Sequence, residues 1–327
     1  MDLTGKRILV VGGAGFIGSH VVDRLLKSRV AEVVVYDSLV RGSLRNLEEA
    51  SADPRLKVLD DHPDIRDSDR LAAAMTGIDG VFNLAAIGIV ASNESPEDAF
   101  TINVTGNWNV FRAAAAAGVR KVVHSSSASV YGQPQVVPMT EEHPYHNRTL
   151  YGANKIAAEH LLLACGELDP LEWAALRYFN VYGPRQDSKG AYTSVLHKVL
   201  DRLEAGEPPV IFGDGSQMMD FVHVTDVAKA NVRAMESDVA SGFFNVCSGV
   251  GTTIREVVAM LSRLTGIDIE PVYREAAIPA NLVTKRIGGP DKSADLLSFS
   301  TGVSLEDGLR SLVEWRERSR STASAAR

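Results

Sequence analysis

A tyrosine and a lysine four positions apart, Tyr151 and Lys155, stand downstream of a glycine-rich run, and together they suggest a chemistry. Four positions is about one helical turn, so both side chains share a face and can enter one pocket. A free phenol ionises near pH ~10, too high for a base at neutral pH, but a neighbouring ammonium favours the phenolate. Such a phenolate can take the proton of an alcohol while a hydride leaves the same carbon. Ser127 closes the run Ser125-Ser126-Ser127, 24 residues before Tyr151, and can hydrogen-bond the reacting oxygen. Taken alone, the tyrosine and lysine also suit a packing ring beside a solvated charge, and the serines suit a polar strand end.

The glycines narrow the choice. Gly12, Gly15 and Gly18 follow the apolar run 8–11 directly, and Gly13, Gly15 and Gly18 also fit G-x-G-x-x-G. Missing Cβ atoms let a backbone approach a pyrophosphate closely, and the helix start behind them supplies partial positive charge. Asp37 falls 19 residues after Gly18, where a carboxylate can accept from the adenosine ribose hydroxyls. The same carboxylate repels a 2′-phosphate, so NAD is favoured over NADP, with Arg41 the residue able to weaken that preference. Asp64 and Ile65 follow the third expected strand and either meet the adenine or form a surface loop. Base and dinucleotide loop together predict hydride exchange between a nicotinamide and an alcohol carbon, with the positive nicotinamide ring favouring the phenolate as the ammonium does.

The elements that must hold these residues are read from periodicity. Short β-branched runs at 7–11, 32–36, 56–59, 80–84, 121–125 and 173–177 alternate with helical spacing, notably at 15–27, 96–117 and 151–165. This predicts an α/β fold, a doubly wound, mainly parallel sheet of the Rossmann kind. After Phe179 the rhythm is broken by Gly183-Pro184, Pro208-Pro209 and Gly213-Asp214-Gly215, which marks a second, smaller α/β lobe. The segment 220–235, His223 included, is expected to return to the sheet. The expected division is 1–178 plus about 220–247 for the dinucleotide, about 179–219 plus 248–318 for the substrate, and a disordered tail at 319–327.

Composition excludes whole classes of function. The chain has 327 residues, 45% of them hydrophobic, a net charge of −7 and only two cysteines, Cys165 and Cys247. Mean hydropathy is −0.02 and the pI is near 5.7. This balance argues against broad nucleic-acid or anionic-membrane binding, and no run approaches the ~20 apolar residues of a membrane span. Two distant thiols fit a reducing cytoplasm rather than a disulfide framework. The histidines, His124, His143, His146 and His223 among them, lack ligand spacing, so no metal is implied. The charged stretches 198–207 and 310–318 read as solvated helix faces.

The ordered motifs resemble the extended short-chain dehydrogenase/reductase family, in its NAD-dependent nucleotide-sugar epimerase/dehydratase branch, over roughly residues 6 to 316. The carriers are Gly-Gly-Ala-Gly-Phe-Ile-Gly at 12–18, Asp64-Ile65-Arg66-Asp67, Asn83-Leu84-Ala85-Ala86, Asn103-Val104-Thr105-Gly106, Tyr151-Gly152-Ala153-Asn154-Lys155, the run from Ser125 to Gly132, the run from Arg177 to Gln186 and Gly213-Asp214-Gly215-Ser216-Gln217. The resemblance implies that Tyr151 is the proton acceptor, that Lys155 holds Tyr151 and the nicotinamide ribose, and that Ser127 orients the substrate hydroxyl. It extends the NAD contacts to Phe16, Ile17, Ser38, Gly42, the stretch 84–88 with Leu84, Ala85 and Ala86, Asn103 and Phe179. Ser129, Asn180, Arg185 and Arg286 are implied around a nucleotide-sugar substrate. A 4-epimerase of this kind passes through a 4-keto sugar and takes hydride back on the other face. The helices 96–117 and 151–165 resemble the pair that forms a dimer contact in relatives, so a homodimer is expected.

Departures from the pattern are as telling as matches. Dehydratases of the branch carry an Asp-Glu pair just after the active-site hydroxyl, where this chain has Ala128 and Ser129. The usual decarboxylase glutamate is missing for the same reason. Epimerisation is the simple outcome left, with a 2-epimerase, a reductase or an unusual dehydratase as alternatives, and a non-catalytic NAD-binding regulator disfavoured because Tyr151 and Lys155 are both kept. Met219 stands where many UDP-sugar relatives have arginine, and Pro279-Ala280-Asn281-Leu282 where a second arginine is usual. A pyrophosphate still needs cationic or N–H donors, which leaves Arg185, Lys189, Lys285 and Arg286 as candidates, each also readable as a surface charge.

Overall fold

The computed structural model describes residues 1–187, 195–275 and 284–325. Strands β1 (Arg7–Val11), β2 (Glu32–Tyr36), β3 (Leu56–Val58), β4 (Gly80–Asn83), β5 (Lys121–Ser127) and β6 (Glu172–Tyr178) alternate with helices α1 (Phe16–Leu26), α2 (Ser68–Ala74), α3 (Ile89–Glu94), α4 (Pro96–Phe100), α5 (Asn107–Ala116) and α6 (Leu150–Leu168). There follow β7 (Asn180–Tyr182), α7 (Val195–Glu204), β8 (Val210–Phe212), β9 (Met218–His223), α8 (Val224–Glu236), β10 (Ser241–Val246) and β11 (Gly251–Thr253). The chain ends through α9 (Ile254–Thr265), β12 (Val272–Arg274), β13 (Lys285–Arg286), α10 (Asp291–Leu297) and α11 (Leu305–Ala325).

Seven strands form one parallel sheet in the order β10-β6-β5-β4-β1-β2-β3. Parallel strands must be covered on both faces, which is why their sequences run apolar without alternation. In β1, Ile8 and Val10 enter one core with Val21, Val22 and Leu25 of α1 and Val227 of α8. Leu9 and Val11 enter the other, with Leu71 of α2, Val110 and Phe111 of α5 and Leu162 of α6. The order reverses between β1 and β4, so the two connections leave in opposite directions and open a crevice beyond the strands' carboxyl ends. Gly12, Leu84, Ser127 and Phe179 all sit at that edge.

A third core gathers Leu196, Val199 and Leu200 of α7, Val257 and Leu261 of α9, and Leu309 and Leu312 of α11. Beside it lies a small sheet in which β9 pairs with β7, β11 and β13, and a ribbon of β8 with β12.

Several expectations need correction here. Strand β9, residues 218–223 with Asp220 and His223, belongs to the small sheet, because β7, β11 and β13 take up its backbone groups; the return begins only with α8 and β10. The expected helix 96–117 is broken by a π-helical turn at Thr101–Gly106. Residues 319–325, expected to be disordered, continue α11. The two charged faces are not simply solvated: Arg316 is buried and reaches Asp201 at 2.5 Å and Glu204 at 2.7 Å, tying α11 to α7. Lys189 and the stretch 279–282 lie outside the described residues.

Candidate active site

The backbone after β1 turns where no side chain fits. Gly12 has φ +77°, and a Cβ on it would lie 2.9 Å from the backbone N of Ala85. A Cβ on Gly18 would lie 2.1 Å from the Gly12 carbonyl oxygen. Gly15 caps α1 without any side-chain hydrogen bond, so the first N–H groups of the helix face the crevice. The opening there has a volume of about 760 Å³, and its walls include Gly12, Gly15, Asp37, Ser38, Arg41, Gly42, Asp64, Ile65, Leu84, Ala85 and Ala86. Asp37 is held by two backbone donors, Ala14 N to Oδ2 and Leu39 N to Oδ1, each at 2.9 Å. Burial pushes its carboxyl above the usual range while those N–H groups act against it. A cradle without Cβ atoms, a free helix start and a fixed carboxylate fit an adenine dinucleotide.

A second opening of about 510 Å³ continues from the first, sharing Gly12, Gly15, Arg41, Leu84, Ala86 and Asp187 with it. Phe16, Ile17, Gly18, Ser127, Ser129, Tyr151, Phe179, Arg185 and Arg286 line its walls. Tyr151 is fixed by the start of α6, where the Thr149 hydroxyl accepts from Gly152 N at 3.0 Å and Asn147 Oδ1 accepts from Thr149 N at 3.0 Å. Ser127 Oγ donates to Ser129 Oγ and accepts from Ser129 N, both at 3.1 Å. Hydroxyl and phenol thus face one space at the carboxyl end of β5.

The electrostatics differ from expectation. The phenol of Tyr151 is raised by burial; Ser127 and the charge of Arg286 pull it down without reversing the sign. Lys155 is anchored on β5 rather than on the phenol oxygen. Its Nζ donates to the Ser125 carbonyl at 2.7 Å, lies 5.7 Å from the centre of the Tyr151 ring, and is absent from the walls of both openings. Burial brings Lys155 down to about 8, with Glu159 acting the other way.

Two other expected contacts, Asn103 and Asn180, are not on the walls of either opening. Asn103 exchanges hydrogen bonds with the backbone N and O of Ile87, at 2.8 and 2.9 Å, so it holds the loop after β4 from behind. It sits in the π-helical turn that interrupts the expected helix. Asn180 donates to the Asp220 carbonyl at 3.0 Å and joins β7 to β9. Arg185 keeps its place on the wall, but its guanidinium pairs with Asp23 at 2.7 Å.

Residues 8–247 match the NAD dependent epimerase/dehydratase family. The chain belongs to that family. UDP-glucose 4-epimerase of Mycolicibacterium smegmatis is 36% identical over 317 residues, 94% of this chain and 98% of that protein. The solved UDP-N-acetylglucosamine 4-epimerase of Methanobrevibacter ruminantium, in complex with UDP-N-acetylmuramic acid, is 32% identical with a TM-score of 0.90, covering 97% of this chain and 99% of that one. UDP-glucose 4-epimerase of Thermotoga maritima, solved with UDP-glucose, is 34% identical with a TM-score of 0.88, covering 96% and 99%.

Within the NAD dependent epimerase/dehydratase family, the informative departure is Met219. The β9–β13 register sets it opposite Arg286, and register partners on neighbouring strands present side chains to the same face. Arg286 is partly buried, and its Nε has no hydrogen-bond partner. No carboxylate among the described residues pairs with it. Burial leaves it an inwardly directed charge short of a counterion. Sequence reading missed Tyr36, Asp98 and Asp187 on the walls, and the buried Glu159 that accepts from Ser126 of β5. Asp187 pairs with Arg41 at 3.3 Å across the mouth, a contact between distant segments with no local signature.

Proposed function

We propose that the chain is an NAD-dependent nucleotide-sugar 4-epimerase whose substrate is a UDP-hexose or UDP-hexuronic acid. One observation carries this reading: Tyr151 and Ser127 open on the same space that runs on past the glycine cradle to Asp37. The chemistry that NAD would supply, when bound, is acceptance and return of hydride at the sugar's C4. Asp37 and the start of α1 hold the ribose and pyrophosphate, and Asn103 keeps the 84–88 loop in place around them. Tyr151 removes the C4 hydroxyl proton at its phenol oxygen and gives it back; Ser127 hydrogen-bonds the same sugar oxygen. Arg286 faces the sugar nucleotide's diphosphate, replacing the charge that Met219 lacks. Ala128 is apolar and Ser129 is tied to Ser127, so neither supplies the acid and base that dehydration requires.

The third core suggests a substrate lobe of about 179–223 and 248–318 that flanks the crevice of the parallel sheet. A homodimer through α5 and α6 fits the exposed Phe100, Leu150 and Leu168 nearby, and light scattering at micromolar concentration tests it. No helix among the described residues is long and apolar enough to cross a membrane. Both cysteines are free and buried, which suits a reducing cytoplasm.

The test is incubation with a panel of nucleotide sugars, read by chromatography and mass. Epimerisation leaves mass unchanged, whereas dehydration, decarboxylation and net reduction do not. Tyr151→Phe is expected to lower kcat about 10²- to 10⁴-fold with NAD still bound; normal turnover in that variant refutes the assigned base.

A further inference from the structure

Helix α6 buries more than its reacting residues. Glu159, one turn beyond Lys155, is fully buried, and its carboxylate is shared among three segments. Oε1 accepts from Ser126 Oγ of β5 at 2.5 Å and from Arg177 Nε of β6 at 2.9 Å. Oε2 accepts from Arg177 Nη2 at 2.8 Å and from the Tyr145 hydroxyl at 3.1 Å. Arg177 donates further to the Tyr131 hydroxyl and the Glu141 carbonyl, both at 3.0 Å, with the Phe243 ring 4.7 Å away.

Apolar residues of similar volume often stabilise a core as well as such a pair does, because desolvating two charges is costly. What the pair adds is position. Three consecutive residues of β5 are engaged at once: the Ser125 carbonyl by Lys155, the Ser126 hydroxyl by Glu159, and the Ser127 hydroxyl at the cavity. We propose that Glu159 is a positioning residue for the reaction, clamping β5 to α6 so that Ser127 and Tyr151 meet one substrate oxygen, and serving as the counter-charge one turn from Lys155.

The groups around this pair are Arg177 of β6, His124 of β5, Tyr151 of α6, Tyr131, Glu141 and Tyr145 of the segment between β5 and α6, and Tyr178 of β6. Burial depresses Lys155 and Glu159 is the charge that opposes it. Neutralising Glu159 also leaves Arg177 unmatched nearby, so both effects disfavour the ammonium.

This inference rests on the epimerase reading, and its test separates the two. Glu159→Gln is expected to lower kcat about 10- to 100-fold, the cost of a misplaced reacting geometry, with KM for the nucleotide sugar nearly unchanged. Its alkaline limb moves to lower pH. Ser126→Ala breaks one hydrogen bond and spares the ion pair, so it carries the test if Glu159→Gln fails to fold: Tm falls modestly with the lost bond, kcat falls several-fold at temperatures where the variant is fully folded, and the pH limb stays as in wild type. Wild-type kcat in Ser126→Ala, or a folded Glu159→Gln with an unmoved pH limb, overturns the proposal. Crystal structures of both variants add a readout free of turnover, since an unchanged Ser127–Tyr151 arrangement also overturns it. A wild-type protein inert toward every nucleotide sugar instead overturns the epimerase reading.

Discussion

Replacing Arg286 with methionine should weaken diphosphate binding while sparing the protein's own stability. Arg41 has Asp187 and Arg185 has Asp23, but Arg286 has no carboxylate among the described residues. A guanidinium in that position costs desolvation in the free protein and recovers it only when an anion arrives. Methionine is close in length and apolar, so the free variant should melt no lower than wild type. A hydrogen bond to a charged group is worth about 1.5–3 kcal/mol, and at ~1.4 kcal/mol per tenfold the affinity for UDP should fall roughly 10- to 150-fold. Calorimetric titration with UDP and with uridine isolates the diphosphate: uridine binding should stay as it was.

The strand register supplies a rescue. Since Met219 faces Arg286 across β9 and β13, Met219→Arg added to Arg286→Met should restore at least tenfold of the lost UDP affinity. Loss of the cation also raises the Tyr151 phenol further, because Arg286 is among the causes that lower it, so the acid limb of kcat/KM should move to higher pH. Unchanged UDP affinity in Arg286→Met, or an equal loss for uridine, refutes the assignment of this charge to the diphosphate.

Asp37→Ala should weaken NAD by roughly 10- to 100-fold, as a charged acceptor for the ribose is lost along with the anchors to Ala14 and Leu39; titration by fluorescence checks it, and undiminished affinity is the contrary result. Gly18→Ala should abolish NAD binding and cost about 1–3 kcal/mol of stability, since its Cβ would lie 2.1 Å from the Gly12 carbonyl oxygen. Denaturant melts and NAD titration check both halves. With Lys155 protonated only below about 8, kcat should decline as pH passes through that value; a profile flat to pH ~10, the range of an ordinary lysine, counts against a role for its charge.

What could be read from sequence was what neighbours along the chain dictate. The glycine turn was legible because backbone contact at Gly12 and Gly18 forbids any other residue, and Asp37 because strand and helix lengths fix its distance from that turn. Strands of the main sheet were legible from β-branched runs buried on both faces. Strand β9 has the same kind of local sequence, yet its sheet is chosen by β11 and β13, which lie far along the chain. Partner choice for a strand is a non-local property, and local pattern does not carry it.

The same distinction governs the charges. Spacing correctly brought Tyr151 and Lys155 to one helix, but the phenol's environment is a sum over β5, β13 and the surrounding apolar bulk. Lys155 turns to a carbonyl of β5 while lying over the phenol's ring, and a second cation, Arg286, acts on the phenol from 135 residues on. Burial still outweighs that cation, so the chain alone does not supply an ionised base. A positive nicotinamide ring beside Tyr151 is the further contribution such a base requires. With Tyr151 as the proposed base, proton removal would be coupled to occupancy of the dinucleotide crevice, and an NAD-free phenol is expected to titrate above an NAD-bound one.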